Sequence, residues 1–496
     1  MRLTLTIVAA ILFSTSNAAS LVGAAASSSA PFSPSSDPGI FPGDSDNPLD
    51  GWRSLPEIAG ARIDNSTLIV GQGSATLLHY IDADYDPKKI KRAVIQIHGE
   101  NRDSWNQWIY SDLSAKRAAT GGSFNRDEVV VMAPMFFNTR DQGAYPYDSN
   151  LDLANSGATS TQDTAATPTA RRRSWAYATD AASASGFERR ANVVERGHFR
   201  IPLQKVSTTE VMIWKSVEWG DGSPAYEPVN AAGAGSFDAL DAAVNFFLDK
   251  SRFPHLRNVV VAGFSLGAQL TNRYATFRNE TSQDNRIIFW ISSPNAFVYL
   301  DDSRPAKIGA SCAKTYTYYK YGLNGTLPQY YLQSSQQLSP SQLISRYLSR
   351  TVYYLVGMKD TGAGLDSCSP NAQGSGHLDK MYYWTQQVVP LLPGSTGKEG
   401  KLPPNNLVRF VDDTGHQDWK VITSDPGVET LWLKKWYANG TDANAPQSNG
   451  VVAAKTPSAK SIRKNENAAV RGSADKAAVY GTVTAALVAS LAGSLL

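Results

Sequence analysis

A serine flanked by two glycines is the first feature that could do chemistry. Ser265 stands in the frame Gly263-x-Ser265-x-Gly267, after the apolar run 258–262 and before an amphipathic stretch. A strand, a sharp turn and a helix around such a serine present its hydroxyl at the edge of a sheet as a nucleophile, and the glycines leave room for the turn. The first helical turn would direct the backbone N–H of Leu266 at a developing oxyanion. The pattern therefore predicts acyl transfer through Ser265.

A serine nucleophile needs a base, and in this arrangement the base follows the serine along the chain. Two of the six histidines do so, His377 and His416. His416 lies in a glycine-containing loop after the last apolar run, at the same sheet edge as the serine. His377 lies at a predicted helix start and remains the alternative. We predict that His416 is the general base.

The acid of such a triad should follow a strand between the serine and the histidine. Asp360 comes directly after the apolar run that ends at Gly357, and Asp366 lies six residues further along the same loop. We predict Asp360, with Asp366 as the alternative. Its carboxylate would hold the His416 ring in one tautomer and stabilise the imidazolium.

A second oxyanion donor is expected in the loop after the apolar run 93–97. This run ends at His98-Gly99, so the backbone N–H of Glu100 would face the oxyanion. Only the backbone is needed, and we expect the Glu100 carboxylate to turn away or to be held by Arg102. We expect His98 to structure this loop.

The runs that position these residues alternate with helical patterns. Buried strands separated by helices predict an α/β fold with a mostly parallel central sheet covered by helices on both faces. Two antiparallel strands, 66–71 and 76–82, would come first. The further predicted strands are 93–99, 128–134, 258–265, 286–292, 352–357 and 406–413, and the predicted helices are 236–253 with Ser236 as its N-cap, 267–277, 377–389 and 428–437.

Composition limits the functional classes. The chain has 496 residues, is 42% hydrophobic and carries a net charge of +3, which gives no reason to expect a nucleic-acid partner. Its two cysteines, Cys312 and Cys368, are predicted to form a disulfide in an oxidising compartment. Two cysteines without well-spaced histidines cannot build a structural zinc site, and we expect neither a metal nor a cofactor.

Both ends of the chain predict processing for the cell surface. Residues 1–18 combine Arg2, an apolar run and a small-residue cleavage site, as in a secretory signal peptide. Residues 477–496 are apolar and follow a polar stretch in which Asn467 is a candidate attachment site, as in a GPI-anchor signal. A C-terminal membrane helix is the alternative. We expect a secreted protein anchored at the cell surface through this tail or through GPI.

Between the ends, composition divides the chain into segments. Residues 19–50 and 439–476 are predicted to be a disordered linker and a disordered stalk, which leaves a folded domain over 51–438. Within that domain, about 140–208 forms an insertion, part loop and part lid. The sequence does not indicate an oligomeric state. The sequons that fit secretion are Asn65, Asn279, Asn324 and Asn439.

The motifs together resemble the α/β-hydrolase superfamily, and more narrowly a group of secreted fungal hydrolase-like proteins. The stretches that carry the likeness include AVIQIHGENRD, IWKSVEWGDG, RFPHLRNVVVAGFSLGAQLTNRYA, YYLVGMKDT and DTGHQ, across about 90–430. The resemblance implies the α/β-hydrolase fold, a triad of Ser265, Asp360 and His416, and ester hydrolysis. The chain departs from the pattern in its insertion and in Leu266, where a smaller residue is common.

Two classes of function remain. The first is a cell-surface serine hydrolase, above all a carboxylesterase that acts on a small-molecule or lipid ester through an acyl-enzyme on Ser265. A lipase, a peptidase or a transacylase would use the same triad. The second is a catalytically inactive cell-wall or adhesion protein on the same scaffold, because a fold does not determine a function.

Overall fold

A computed structural model describes residues 47–71, 75–122, 124–145, 210–228, 233–362 and 367–434. The predicted signal peptide, stalk and C-terminal tail lie outside the described residues, as do Asp366, Asn439 and Asn467. Residues 140–145, which the sequence assigns to the insertion, include the buried Ala144 and Tyr145, so this part belongs to the packed domain. Residues 47–50, which the sequence assigns to the linker, also contact the domain, since Arg102 Nη2 donates to the Pro48 carbonyl at 2.7 Å.

The strands of the described residues, in chain order, are β1 (Ala61–Asp64), β2 (Ile69–Val70), β3 (Ala75–Thr76), β4 (His79–Asp82), β5 (Arg92–Ile97), β6 (Val129–Pro134), β7 (Phe137–Asn138), β8 (Ile213–Trp214), β9 (Asn258–Phe264), β10 (Ile287–Ser292), β11 (Thr351–Gly357) and β12 (Leu407–Val411).

Eight of these strands form the central sheet, in the order β1-β4-β6-β5-β9-β10-β11-β12. β4 pairs antiparallel with both of its neighbours, and the strands from β6 to β12 are parallel. This order, with β5 and β6 exchanged, is that of the α/β-hydrolase fold and confirms the predicted fold class.

The α-helices of the described residues are α1 (Ser104–Thr120), α2 (Ser236–Leu248), α3 (Leu266–Phe277), α4 (Gln329–Leu332), α5 (Pro340–Ser349), α6 (Cys368–Asn371), α7 (His377–Tyr383), α8 (Asp418–Thr423) and α9 (Asp425–Val428).

Helices cover both faces of the sheet, as predicted. Successive strand residues point to opposite faces, so Ile95 and Val261 join one hydrophobic core while Val94 and Val260 join another. The first core includes residues of α2, α3, α5 and α7, and the second includes residues of α1 and α8.

One local prediction is wrong, and another is confirmed only in part. The N-cap of α2 is Gly235 and not Ser236, because the extended backbone of Gly235 lets its N–H donate to Asp238 Oδ2 at 2.8 Å. The predicted antiparallel strands over 66–71 and 76–82 are found in part, since β2 and β3 pair antiparallel in a separate two-stranded sheet. The rest of 76–82 contributes β4, which pairs with β1, a strand that the sequence does not indicate.

A disulfide joins Cys312 to Cys368, as predicted. It connects the segment after β10 to the start of α6, which follows the loop that begins at Asp360. The two cysteines are 56 residues apart. Closing a loop of that length stabilises the folded chain by about 4 kcal/mol on the chain-entropy model. The bond therefore restricts the loop that carries the candidate acid.

Surface features bear on the predicted processing. Among the described residues, no helix reaches the length and apolarity that a membrane span requires. Of the three sequons that the structure describes, Asn324 is exposed, while Asn65 and Asn279 are half-buried. Of these three described sequons, Asn324 has the most exposed asparagine.

Candidate active site

Ser265 occupies the turn between β9 and α3. Its backbone has φ 54° and ψ −117°, a conformation that side-chain-bearing residues rarely adopt and that costs roughly 1–3 kcal/mol. The Ser265 N–H donates to the Ser292 carbonyl at 2.9 Å, which ties the turn to β10. Leu266 is the first residue of α3, so its N–H has no acceptor within the helix. The sequence motif thus forms a sharp strand–turn–helix corner with the serine at its tip.

The two glycines of the motif are required by close backbone contacts. A Cβ on Gly263 would lie 2.2 Å from the carbonyl oxygen of Gly267. A Cβ on Gly267 would lie 2.4 Å from the carbonyl oxygen of His98, at the end of β5. Because neither position can hold a side chain, α3 packs directly against the strand ends and fixes Ser265 beside the loop after β5.

Replacing Gly267 by alanine is expected to lower the free energy of unfolding by about 1–3 kcal/mol, because the methyl group must push α3 away from β5. Urea denaturation of both proteins measures the difference. Gly362→Ala is the matched control, since a Cβ at that position meets no atom within 4 Å. Equal losses in the two variants would contradict the steric role of Gly267.

The loops after β11 and β12 bring Asp360 and His416 together. His416 Nδ1 lies 2.9 Å from Asp360 Oδ2 in a hydrogen bond. The main chain joins the same loops, because the Lys359 N–H donates to the Thr414 carbonyl at 2.8 Å. The His416 ring also lies 4.8 Å from the ring of Phe264, measured between centroids. Phe264 precedes Ser265, so this histidine stands beside the serine turn.

A second histidine approaches the same carboxylate. His377 Nδ1 lies 3.0 Å from Asp360 Oδ1, in an approach more bent than that of a regular hydrogen bond. The rings of His377 and His416 are stacked, with centroids 4.2 Å apart and planes 24° apart. The His377 side chain is 6% exposed and that of His416 17% exposed. The structure therefore places both candidate bases on Asp360, with His416 the more accessible.

Asp360 is held in its charged form. Burial alone would raise the pKa of its carboxyl, but the neighbouring imidazoles of His377 and His416 outweigh that effect and keep the pKa well below its usual range. Burial lowers the pKa of His377, and Asp360 opposes this shift only in part. His377 is therefore neutral at neutral pH, and Asp360 is an ionised carboxylate that faces both rings.

The loop after β5 carries the predicted oxyanion donor and has a fixed backbone. Gly99 lies against the serine, since a Cβ on it would be 3.6 Å from Ser265 Cβ. His98 Nδ1 donates to the Gly99 carbonyl at 2.7 Å. In a trans peptide the N–H of Glu100 points opposite to that carbonyl, and so away from the His98 ring.

His98 structures the loop, as the sequence suggests. Its Nδ1 faces the Gly99 carbonyl, while its Nε2 accepts the Phe136 N–H at 3.0 Å. One nitrogen must donate and the other accept, so the ring is neutral with its proton on Nδ1. Burial lowers the pKa of His98 to about 3, which keeps the ring in this state.

A buried ion pair that the sequence does not indicate supports the same loop. Arg102 Nε and Nη2 donate to the Asp141 carboxylate at 2.8 and 3.0 Å. Arg102 Nη1 reaches Glu100 at its backbone carbonyl, at 2.7 Å. Asp141 also accepts the N–H groups of Trp52 and Asn138. Through Arg102, this carboxylate therefore ties the chain around Glu100 to the backbone at Trp52 and Asn138.

Two further carboxyl groups, Asp103 and Asp418, lie between the loop after β5 and the histidine loop. Burial, together with the neighbouring Asp418 carboxylate, raises the pKa of Asp103 to about 7. Burial also raises the pKa of Asp418, against the charge of nearby His416. Asp103 Oδ2 accepts from Asn106 Nδ2 at 3.0 Å, and Asp418 Oδ2 from Gln107 Nε2 at 2.7 Å.

The raised pKa of Asp103 predicts a pH-dependent stability. The folded chain holds this proton up to about pH 7, whereas an unfolded carboxyl releases it near pH 4. The stability that it contributes is therefore complete below about pH 4 and is lost as the pH rises to about 7. Asp103→Asn removes this titration. As the pH rises from 5 to 8, the free energy of unfolding of the variant should therefore increase by at least about 1 kcal/mol relative to that of the wild type.

Urea denaturation at pH 5, 6, 7 and 8 tests this prediction. Asp50→Asn, at an exposed aspartate, serves as the control and should follow the wild-type curve. A constant difference between Asp103→Asn and the wild type over this range would show that Asp103 does not titrate within it.

Asp360, His377 and His416 are also the described side chains that come closest to a metal site. Their potential ligand atoms all lie within 4.8 Å of one another. An imidazole binds a metal ion in the plane of its ring, however, and the two stacked ring planes do not converge on one point. The arrangement fits two N–H donors on one carboxylate better than it fits a metal centre.

Comparisons with known proteins show similarity in structure alone. No family model matches the chain, and no curated protein sequence matches it. Poly(aspartic acid) hydrolase-1 from Sphingomonas sp. KT-1 is 14% identical, with a TM-score of 0.41 over 75% of this chain and 98% of its own. The LpqC poly(3-hydroxybutyrate) depolymerase from Bordetella parapertussis is 14% identical, with a TM-score of 0.40 over 79% and 91%.

A third similar structure is the siderophore hydrolase EstB from Aspergillus nidulans. It is 11% identical, with a TM-score of 0.34 over 76% of this chain and 96% of its own. Similarity at this level does not carry a substrate or an activity over to this chain. The assignment of the fold rests on the strand order and on the turn at Ser265.

Proposed function

We propose that this protein is a serine hydrolase that cleaves carboxylic esters. The observation that carries the proposal is the hydrogen bond from His416 to the buried Asp360 carboxylate, formed beside the sharp turn that presents Ser265. A nucleophile on a strained turn, a histidine next to it and an acid behind the histidine are the parts of a catalytic triad.

The first half-reaction would form an acyl-enzyme. Ser265 Oγ attacks the ester carbonyl carbon while His416 Nε2 takes the hydroxyl proton. Asp360 Oδ2 holds the His416 Nδ1–H and stabilises the imidazolium. The N–H groups of Leu266 and Glu100 would bind the oxyanion of the tetrahedral intermediate. When this intermediate collapses, His416 returns the proton to the alkoxide, and the alcohol leaves.

The second half-reaction releases the acid. A water molecule loses a proton to His416 Nε2 and attacks the acyl carbonyl carbon. The second tetrahedral intermediate then collapses, and the bond to Ser265 Oγ breaks as His416 returns the proton to it. The sum is one ester and one water converted to one acid and one alcohol, and this chain's residues account for every proton transfer.

Hydrolysis of p-nitrophenyl acetate by wild type and Ser265→Ala tests the proposal. Ser293→Ala is a matched control, because Ser293 is also a buried serine with positive φ, directly after β10. Wild type and Ser293→Ala should turn the ester over at similar rates, and Ser265→Ala should not exceed the background. Equal activity in Ser265→Ala would overturn the assignment.

We further propose that the enzyme is secreted and held at the cell surface by a GPI anchor. Support comes from the signal-peptide pattern of residues 1–18 and the apolar tail 477–496, together with the disulfide, which suits an oxidising compartment. Phosphatidylinositol-specific phospholipase C should release the protein from expressing cells. Retention at the surface after this treatment would favour a membrane helix.

A further inference from the structure

The carboxylate of Asp360 has two oxygens, and His416 uses only one of them. Oδ2 accepts from His416 Nδ1, while Oδ1 has His377 Nδ1 at 3.0 Å. Asp360 is 1% exposed, so water has little access to Oδ1 as a hydrogen-bond donor. A buried carboxylate with a single donor could turn about its Cβ–Cγ bond and lose its alignment with the base. His377 Nδ1 approaches Oδ1 at an angle too bent for a regular hydrogen bond, but an N–H at that distance would still oppose such a rotation.

His377 is itself held on the acid loop. It is the first residue of α7, and its N–H donates to the Gly362 carbonyl at 3.3 Å. The next N–H, that of Leu378, donates to the carbonyl of Asp360 itself at 2.9 Å. The start of α7 is therefore bonded to the main chain of the loop whose side chain His377 contacts. Its ring closes the arrangement by stacking on His416.

Burial keeps His377 a neutral donor, although the charge of Asp360 favours its protonated form. Asp360 and His416 face it from the acid and histidine loops, and Lys380 lies one turn further along α7. Lys380 is buried, and its Nζ donates to Asn295 Oδ1 at 2.8 Å. A protonated His377 would repel both Lys380 and a protonated His416. On its other side, His416 faces Asp418.

We propose that His377 is a positioning residue that holds Asp360 Oδ1, so that Oδ2 stays aligned with His416 Nδ1 throughout the reaction. This inference rests on the proposed function of Asp360 and His416. It assigns His377 no contact with the substrate. Its Nδ1–H also shares the charge of the carboxylate that faces His416.

Two variants separate the N–H group from the ring. His377→Phe keeps a ring for the stack and removes the donor. His377→Asn removes the ring and keeps an N–H donor near the position of Nδ1. The assay is hydrolysis of p-nitrophenyl acetate by the full-length chain, with kcat, KM and the pH dependence of kcat/KM measured for each variant.

In His377→Phe, kcat should fall by about tenfold or more, with KM little changed, because the N–H beside the Asp360 carboxylate is lost. The acidic limb of the kcat/KM profile should move to higher pH by about half a unit or more, because without that N–H the full carboxylate charge favours the imidazolium form of the base. In His377→Asn, kcat and the limb should stay close to the wild-type values. Equal losses in both variants without a shift of the limb would mean that His377 only fills space.

A measurement without substrate separates this inference from the proposed function. NMR of ¹⁵N-histidine-labelled wild type and His377→Phe reports which ring nitrogen of His416 carries the proton. The neutral ring should hold its proton on Nδ1 in the wild type and should show a mixture of the two tautomers in the variant, whether or not the protein cleaves p-nitrophenyl acetate. The same tautomer in both proteins would overturn the positioning role, whereas an inactive wild type with the expected change of tautomer would overturn only the esterase proposal.

Discussion

Asp360→Asn should lower kcat for ester hydrolysis by roughly 10⁴-fold, the loss found when the acid of a serine triad becomes an amide. An asparagine can present either its oxygen or its NH₂ group to His416 Nδ1, so it no longer fixes the tautomer that leaves Nε2 free to accept the serine proton. It also carries no charge to stabilise the imidazolium. Steady-state kinetics with p-nitrophenyl acetate measures the loss.

Asp366→Asn is the control that the sequence itself provides, because Asp366 is the alternative acid in the same loop. Its kcat should stay close to that of the wild type. A large loss in Asp366→Asn with little change in Asp360→Asn would transfer the role of the acid to Asp366. Because the pKa of Asp360 lies far below its usual range, its carboxyl stays ionised from pH 5 to 9. The loss in Asp360→Asn should persist across that range.

Arg102→Ala is expected to lower the free energy of unfolding by about 3–5 kcal/mol, because it leaves the Asp141 carboxylate buried without its counter-ion. Asp141 is fully buried, and the guanidinium of Arg102 is 2% exposed. The backbone strain at φ 56° is the same for alanine as for arginine, so it does not offset the loss. Urea denaturation measures the change in stability.

Arg140→Ala is the matched control for this prediction. The exposed Arg140 donates to the Leu49 carbonyl at 2.8 Å, next to the Pro48 carbonyl that Arg102 binds. Losing that exposed bond should change the free energy of unfolding by less than about 0.5 kcal/mol. The double variant Arg102→Ala/Asp141→Ala should lose less than the sum of its single variants, since both charges disappear together. Additive losses would argue against a coupled ion pair.

The sheet and the serine turn could be predicted because their signals are local. Strands such as β9 are buried on both faces, and a continuous apolar run is the direct consequence in the sequence. The two glycines around Ser265 follow from backbone contacts within a few ångströms. The order of serine, acid and histidine along the chain leaves two acids and two bases, and the position directly after a strand favours Asp360 and His416, a pair that the structure brings together.

Helix α1 shows why other parts could not be predicted. It has 17 residues, yet many of its buried positions are polar, among them Asn106, Gln107 and Ser114. These side chains bond to Asp103, Asp418 and the Ile422 carbonyl, so the face that packs against the domain does not appear as an apolar stripe. A helix whose buried face is satisfied by hydrogen bonds has no strong hydrophobic periodicity.

Long-range pairing of charges was also invisible in the sequence. The sequence suggests Arg102 as a partner for the Glu100 carboxylate, but the two parallel bonds of Arg102 go to Asp141, 39 residues away. From the sequence, His377 and His416 are alternatives for one role. The order rule cannot show that the start of α7 returns to the acid loop and places both rings on Asp360.

The most direct test of the central claim is covalent labelling of the folded, full-length chain with a fluorophosphonate probe, followed by mass spectrometry of the modified peptide. Wild type, Ser265→Ala and His416→Ala are labelled side by side. An assembled triad predicts one adduct on Ser265 in the wild type and none in either variant. No adduct on folded wild type, or an adduct on another serine, would contradict the account.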